Sequence, residues 1–474
     1  MDAIIRRAAH VTPTPRQLAW QRLEFTAFIH YTVNAFTDRE WGEGDEDPAV
    51  FNPTELDTGQ WVRVCKDAGM RMIILTAKHH DGFCLWPSAY TEHSVKNAPW
   101  RDGKGDLVRE LSDACRDAGL QFGVYLSPWD RHEPTYGDSP KYNEHFRNQL
   151  RELLTSYGEI GEVWFDGACG EGPNGKRQEY DFPSYYRLIR ELQPNAVIAI
   201  AGPDVRWVGN ESGFGRETEW SVVPVNTLDP GAVAAASATT EDFFSGSLDS
   251  QLPDLGSREV IRDAKRLAWY PAEVDVSIRP GWFYHAHEDD KVKTPEQLVD
   301  IYYKSVGRNC GLLLNLPPDR RGLIHENDVA ALQGMRAILD ATFETNLAVN
   351  ARINTSDARG DGFGPENLVD DNPETCWSTH DDVTEAVLMI DLGDRPTFNR
   401  LLVQEHIQTG QRVESFALEA RDQGVWREVA QGTTIGYKRI LRFDDVTARH
   451  VRLRIKQSRL SPALSVLGLY RAPK

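Results

Sequence analysis

Through roughly the first 340 residues, short apolar runs alternate with amphipathic stretches, and this rhythm constrains the fold more than any other feature of the chain. The runs cover residues 25–30, 72–75, 122–127, 163–166, 197–200, 274–278 and 312–316, with a weaker one near 218–222. Helical patterns lie between them at 60–68, 107–118, 144–157, 185–192, 258–268 and 294–306. In the second of these, Leu107, Val108, Leu111, Ala114, Cys115 and Ala118 form one helical stripe, and Gly119 stops it just before the next strand. The last opens with Thr294-Pro-Glu-Gln297, a capping box with proline at the first helical position. Strand-helix units in this number favour a closed (β/α)8-like, TIM-type barrel of the α/β class over an open doubly wound sheet. A dinucleotide fold would need glycines after its first strand, where His30-Tyr-Thr-Val-Asn34 has none. Gly170-Glu-Gly-Pro-Asn-Gly175 lacks the helix that motif requires and reads as a loop.

After a helical pattern at 327–339 the texture changes to short alternating runs at 387–391, 400–405, 416–420, 439–443 and 451–456, separated by turn residues. This pattern predicts an all-β sandwich. The expected division is a barrel over residues 1–343 and a sandwich over 344–474.

Charge narrows the partners. The 474 residues hold 53 Lys and Arg against 71 Asp and Glu, a net charge of −18, which repels phosphate backbones and anionic lipid. Neither nucleic acid nor a membrane is an expected partner. No apolar run approaches the ~18 residues of a membrane span. The stretch Met1-Asp-Ala-Ile-Ile-Arg-Arg-Ala-Ala-His10 lacks a signal-peptide apolar region, so a cytoplasmic protein is expected. Six scattered cysteines without a CxxC are expected to be buried thiols rather than disulfides or metal ligands.

In a parallel barrel the C-terminal strand ends build the active site. Polar residues collect there: His30; His79, His80 and Asp81; Ser127, Trp129 and Asp130; Asp166; Arg206, Trp207 and Glu211; Arg279, Trp282 and His285. Tryptophans beside carboxylates suit a sugar, whose C–H faces stack on rings while its hydroxyls take charged partners. Asp166 closes the apolar run Val163-Trp-Phe and precedes Gly167, which leaves its carboxylate unshielded. Glycoside hydrolysis uses two carboxyls, ~5–5.5 Å apart for retention and ~6.5–9.5 Å for inversion. Glu211 is one candidate partner on the following loop; Asp204, Glu217 and Glu219 are others, and spacing does not choose among them. His79-His80-Asp81 lacks a third histidine at ligand spacing, so hydrogen bonding to a hydroxylated substrate is expected there and no metal. No G-x-S-x-G occurs to support a nucleophilic serine.

The stretch Ala77-Lys-His79-His80-Asp-Gly-Phe-Cys-Leu-Trp86 closely resembles the signature of family 29 glycoside hydrolases, the retaining α-L-fucosidases. Supporting matches are Phe28-Ile-His30, Glu40-Trp41-Gly, Phe51-Asn-Pro53 before Gln60-Trp61, Tyr125-Leu-Ser127, Trp164-Phe-Asp166-Gly and Ser277-Ile-Arg-Pro-Gly-Trp-Phe-Tyr284. The resemblance covers residues 15–340 or so. It implies hydrolysis of terminal α-L-fucose through a covalent fucosyl-enzyme intermediate, with no cofactor required. Asp166 matches the family nucleophile, and Glu211, in Gly-Asn-Glu-Ser, matches the acid/base of the subgroup specific for α-1,3/1,4 linkages. Fucose-binding positions carried over are His30, Glu40, Trp41, His79, His80, Tyr125 and Arg206, with Trp282 as an apolar wall. Tyr125-Leu-Ser-Pro-Trp-Asp130 differs from the broad-specificity pattern and points the same way. The implied substrate is a fucosylated, Lewis-type oligosaccharide, with loops 129–140, 168–177 and 222–245 as candidate walls of a galactose subsite. The alternatives are a broad-specificity fucosidase that includes α-1,2 linkages and a catalytically silent carbohydrate-binding protein.

The C-terminal stretch Pro365-Glu-Asn-Leu-Val-Asp-Asp-Asn-Pro-Glu-Thr375-Cys-Trp377-Ser resembles a factor V/VIII C-type, discoidin-like domain. Such domains often hold a structural calcium through an aspartate and threonine here and a late glutamate. Ala463-Leu-Ser-Val466-Leu stands where that glutamate is usual, so structural calcium would lack a ligand.

Overall fold

The computed structural model describes residues 2–225 and 252–473. Ten strands come first in the chain: β1 (Phe25–Ile29), β2 (Met72–Lys78), β3 (Gln121–Leu126), β4 (Glu162–Phe165), β5 (Val197–Ile200), β6 (Arg206–Trp207), β7 (Val222–Val225), β8 (Arg266–Trp269), β9 (Ala272–Ser277) and β10 (Cys310–Asn315). Eight of them form one parallel sheet in the order β5-β4-β3-β2-β1-β10-β9-β6. A bridge between Ala199 and Val205 joins its two ends, so the sheet curls into a barrel. Both faces of these strands are buried, as helix-covered parallel strands require: β1 and β2 are buried at every position.

Local chemistry explains the helices that surround it. Over Leu107–Ala118 the Asp106 side chain accepts from Arg109 N, and Gly119 ends the helix at φ 75°, a left-handed turn that glycine adopts without steric cost. Both arms of the capping box form at Thr294 and Gln297, ahead of the helix Pro295–Lys304. The apolar faces meet the sheet in one cluster that includes Trp61, Leu111, Phe146 and Leu314.

Two sequence expectations fail on the same side of the barrel. The weak strand near 218–222 is not a barrel strand; its place is taken by β6, two residues long, which follows β5 with no helix between them. The backbones of Glu219 and Ser221 are drawn off instead to Thr434 Oγ1 and Gln411 Oε1 of the second domain. The helix expected at 258–268 is a set of turns followed by β8, which pairs antiparallel with β7. Arg7 captures the carbonyls of Ala264 and Lys265, acceptors a continuing helix would have used. Ladder bonding to β7 outweighs the helical apolar spacing.

Residues 352–473 fold into a five-stranded and a four-stranded antiparallel sheet. Leu388, Phe416, Leu453, Leu401 and Leu467 meet in the core of this sandwich. It seats against the N-terminal ends of the barrel strands. Glu24, just before β1, accepts from Tyr437 Oη at 3.1 Å and Lys438 Nζ at 2.6 Å. Asn309, just before β10, accepts from Tyr437 N at 2.7 Å. The residues present do not fit a calcium ion: Thr375 Oγ1 donates to Asp370 Oδ2 at 2.7 Å, and 463–465 are buried in a strand that offers no carboxylate. Cysteines 65, 84, 115, 310 and 376 are buried as expected, whereas Cys169 is only half-buried, its Sγ accepting from Arg177 at 3.4 Å. No helix among the described residues is long and apolar enough to cross a membrane.

Candidate active site

At the opposite end, where the strands finish, a cavity of about 300 Å³ opens. It is lined by Phe28, His30, Glu40, Trp41, His79, His80, Tyr125, Trp164, Asp166, Ala168, Glu211, Asp275 and Trp282. Nine of the ten positions carried over from the family resemblance are therefore brought to one place from segments far apart in the chain.

The floor is aromatic. Tyr125 on β3 and Trp164 on β4 project into the barrel mouth and stack with ring centres 5.3 Å apart. Phe28 packs on Trp164 at 5.2 Å. Trp282 closes one side, its ring 5.2 Å from that of His30. Trp41 stands at the rim, 52% exposed, with its ring edge-on to His80 and Trp129.

Asp166 follows β4 and receives two donors: Tyr125 Oη at 3.0 Å on Oδ2 and Ala168 N at 2.8 Å on Oδ1. His80 Nε2 lies 3.7 Å from the same Oδ2. Such donors hold the carboxylate in one orientation facing the cavity. Glu211 sits on the loop after β6, accepting from Trp282 Nε1 at 3.3 Å. Partial burial raises its pKa, the charges of Asp166 and Glu40 push the same way, and the Trp282 bond opposes them. Asp166 and Glu211 thus face one cavity from unlike settings.

The histidines are held neutral by burial. That of His30 is pushed down to about 4, although Nδ1 shares a 2.8 Å hydrogen bond with Asn315 Oδ1. That of His79 falls well below the usual imidazole value, through burial and the neighbouring His80 and His30. His79 Nδ1 is buried with no partner among the described residues, a polar atom left over for a ligand. His80 is lowered by burial against the pull of Asp166, and its Nδ1 meets Ser127 Oγ at 2.7 Å. Asp81 turns away from the cavity to accept from Thr32 Oγ1 and Phe83 N; burial pushes its pKa up to about 7. Asp81 is thus committed to Thr32 and Phe83, away from His79 and His80, which line the cavity.

Glu40 is a clamp. Oε2 accepts from Trp282 N at 2.8 Å, and Oε1 from Phe283 N at 3.1 Å. His285 Nε2 adds a 2.7 Å contact to Oε1. Gly281 allows this approach: a Cβ there would lie 2.6 Å from Glu40 Oε1.

Arg206 is the exception among the singled-out residues. Its register partner is Ala272, the first residue of β9, which places it at the far end of the barrel from the cavity. There it is buried, pairs with Glu219, and donates to the carbonyls of Tyr270 and Trp220. The rival carboxyls are accounted for in the same way. Glu219 holds Arg206 and Arg216, Glu217 holds Arg308 and Arg439, and Asp204 holds Arg16 and Arg190. Arg279 is buried against Asp328 and Asp289, and Asp130 against Lys78.

Asp275 and Asn315 were not anticipated. Asp275 is a buried carboxyl within β9, capped by Trp207 Nε1 at 2.8 Å; burial lifts its pKa well above the usual range. An aspartate between Val274 and Val276 was the available signal, since an apolar strand interior does not keep a carboxyl without a use. Asn315 joins His30 to Trp282 O, at 2.8 Å each, from the last position of β10. Loops 129–140 and 168–177 meet beside the mouth, where Trp129 packs against Gly170. Most of the third loop, from 226 on, lies outside the described residues.

Comparison with known proteins agrees with this geometry. Residues 18–343 match the Alpha-L-fucosidase family, and residues 352–466 match the F5/8 type C domain. The chain is 46% identical over 465 residues to Alpha-L-fucosidase 1 of Arabidopsis thaliana, covering 97% of this chain and 87% of the plant protein. Among solved structures, a glycoside hydrolase 29 family member from an unknown rumen bacterium superposes with a TM-score of 0.82 at 44% identity, over 98% of this chain and 78% of that one. A Ruminococcus gnavus GH29 fucosidase in complex with fucose gives 0.86 at 34% identity, over 98% and 96%. A barrel whose strand ends gather four carboxyls, three histidines and an aromatic floor, in a chain so matched, belongs to the GH29 α-L-fucosidases, hydrolases of glycosides, here with an F5/8 type C domain following the barrel.

Proposed function

We propose that the chain is a retaining exo-α-L-fucosidase in which Asp166 is the nucleophile and Glu211 the acid/base. The observation that carries this reading is the contrast between Asp166 and Glu211 within the pocket. Asp166 is anchored by two hydrogen-bond donors that fix its orientation, whereas burial raises the proton affinity of Glu211. In the first step an Asp166 oxygen attacks the sugar's anomeric carbon, and Glu211 gives its proton to the departing glycosidic oxygen. In the second, water attacks that carbon while Glu211 takes the water's proton, and Asp166 is released as a carboxylate. His30, His79, His80, Glu40 and Trp41 bind the fucose hydroxyls. Trp282 and Phe28 cover its apolar face. NMR of the first-formed sugar tests the reading: α-fucose should appear before mutarotation, and initial β-fucose would require inversion.

The preferred substrate is α-1,3- or α-1,4-linked fucose on a branched, Lewis-type glycan. Support comes from the Gly-Asn-Glu211-Ser and Tyr125-Leu-Ser-Pro-Trp-Asp130 motifs, and from the exposed aromatic surface of Trp41 at the rim. Energy from binding galactose can be used to lower the barrier at the fucosyl centre. Values of kcat/KM should therefore rank Lewis a or Lewis x far above fucose on GlcNAc alone, with 2'-fucosyllactose scarcely cleaved. Strong α-1,2 cleavage would reassign the enzyme as broad in specificity. Binding with no turnover of any fucoside would make it a lectin.

A further inference from the structure

We propose that Asp38, His285 and His287 form a binding site for a divalent transition-metal ion, zinc above all, at the rim of the pocket. One ligand atom from each of the three lies within 4.8 Å of the others. His285 Nδ1 is already 2.7 Å from Asp38 Oδ1, and the His287 ring lies 5.5 Å from that of His285. Tetrahedral bonds of ~2.0–2.2 Å to zinc hold ligand atoms roughly 3.3–3.6 Å apart, so the Asp38–His285 pair must open by about half an ångström or more and the exposed His287 side chain must swing inward. Two imidazoles and a carboxylate are the donors that zinc, nickel and copper prefer, whereas calcium and magnesium take all-oxygen sets.

The site has a fixed member and two adaptable ones. The His285 side chain is 8% exposed, while those of Asp38 and His287 are 51% and 64% exposed. An ion can thus enter from solvent, settle on the anchored ring and keep a water in its remaining position. The second nitrogen of His285 is the stronger indication. Nε2 lies 2.7 Å from Glu40 Oε1, the carboxylate–histidine arrangement that orients ligating histidines and strengthens their hold on a metal. Arg320 also faces Asp38, but its Nε donates to Ala35 O at 3.1 Å.

The same contact links the ion to the pocket. A metal on Nδ1 withdraws electron density from the ring, so Nε2–H becomes a stronger donor and Glu40 Oε1 a poorer acceptor for anything else. On the reading that Glu40 binds a fucose hydroxyl, zinc should raise KM and leave kcat nearly unchanged. The site modulates catalysis without supplying a catalytic ion.

The test is calorimetric titration of untagged, chelator-stripped protein with zinc chloride. One ion per chain is expected, with affinity falling about tenfold or more in Asp38→Asn and in His287→Ala. His287→Ala should keep its metal-free turnover and fold, and lose the zinc effect on KM for an aryl fucoside. No uptake at millimolar zinc, or equal affinity in the wild type and both variants, would overturn the site; His285 would then be a simple bridge between two carboxylates. Uptake that the variants abolish while KM stays fixed would confirm the site and reject Glu40 as a substrate ligand.

Discussion

At the N-terminal ends of the barrel strands, Arg206, Arg439 and Arg459 are buried, and each faces a carboxylate: Glu219, Glu217 and Glu414. At the C-terminal ends, His30, His79 and Asp275 are equally buried but held neutral, and Asp166 and Glu211 are spread around an open cavity with no Lys or Arg among the described residues pairing either. One chain therefore buries polar groups under two regimes. Where charges are matched within the protein, desolvation is offset internally and the result is rigidity, here the seating of the sandwich on the barrel. Where the groups are left short of partners, the missing half is a ligand, and the result is chemistry. The difference also explains why the carboxyls near Glu211 in sequence do not compete with it: Glu217 and Glu219 belong to the first regime.

Removing a carboxyl from each end should give effects of different kinds. Asp166→Gly should lower turnover by about 10⁴-fold or more, since no other group can form the fucosyl ester. Azide should restore part of it, and substantial unaided activity would assign the nucleophile elsewhere.

Glu211→Ala should cost about 10²–10⁴-fold on a Lewis trisaccharide and much less on an aryl fucoside, whose leaving group needs no proton. Because the free enzyme must hold this proton, kcat/KM should fall as pH rises through the raised Glu211 pKa, and Glu211→Gln should lose that alkaline limb. Equal losses on both substrates would disqualify Glu211 as the acid.

At the other end, Glu219→Ala should reduce stability by about 3–5 kcal/mol, read from the urea midpoint, because it removes the carboxylate that both Arg206 and Arg216 face. The kcat of the folded fraction should not change. A fall in kcat with stability intact would erase the distinction between the two ends. Chelation should have the smallest effect: EDTA should leave turnover intact, because two carboxyls suffice for the chemistry. Complete loss restored by zinc would require a catalytic metal.

Much of this was readable before folding, and the failures share a cause. Strands β1 to β5, β9 and β10 announce themselves as apolar runs because helix-covered parallel strands are buried on both faces. β6 does not, being two residues long, one of them an arginine whose partners come from distant segments. The turns at 258–264 carry a helix-like apolar spacing, yet Arg7 and β7 decide their conformation. The edge strand Val425–Gly432 has mostly exposed and half-buried side chains, so no apolar alternation marks it.

The sequence by itself determined the barrel-plus-sandwich order, the candidate Asp166 and the histidines around it. Local patterning and the strand-end rule need only neighbours along the chain. Only the tertiary structure decided that Glu211 lines the cavity with Asp166, that Arg206 faces away from it, that Asp275 lines it and that Asn315 holds His30 beside it. Those outcomes depend on strand register. In a barrel, the position along a strand sets which end a side chain serves, and register is fixed by packing against strands far away in sequence.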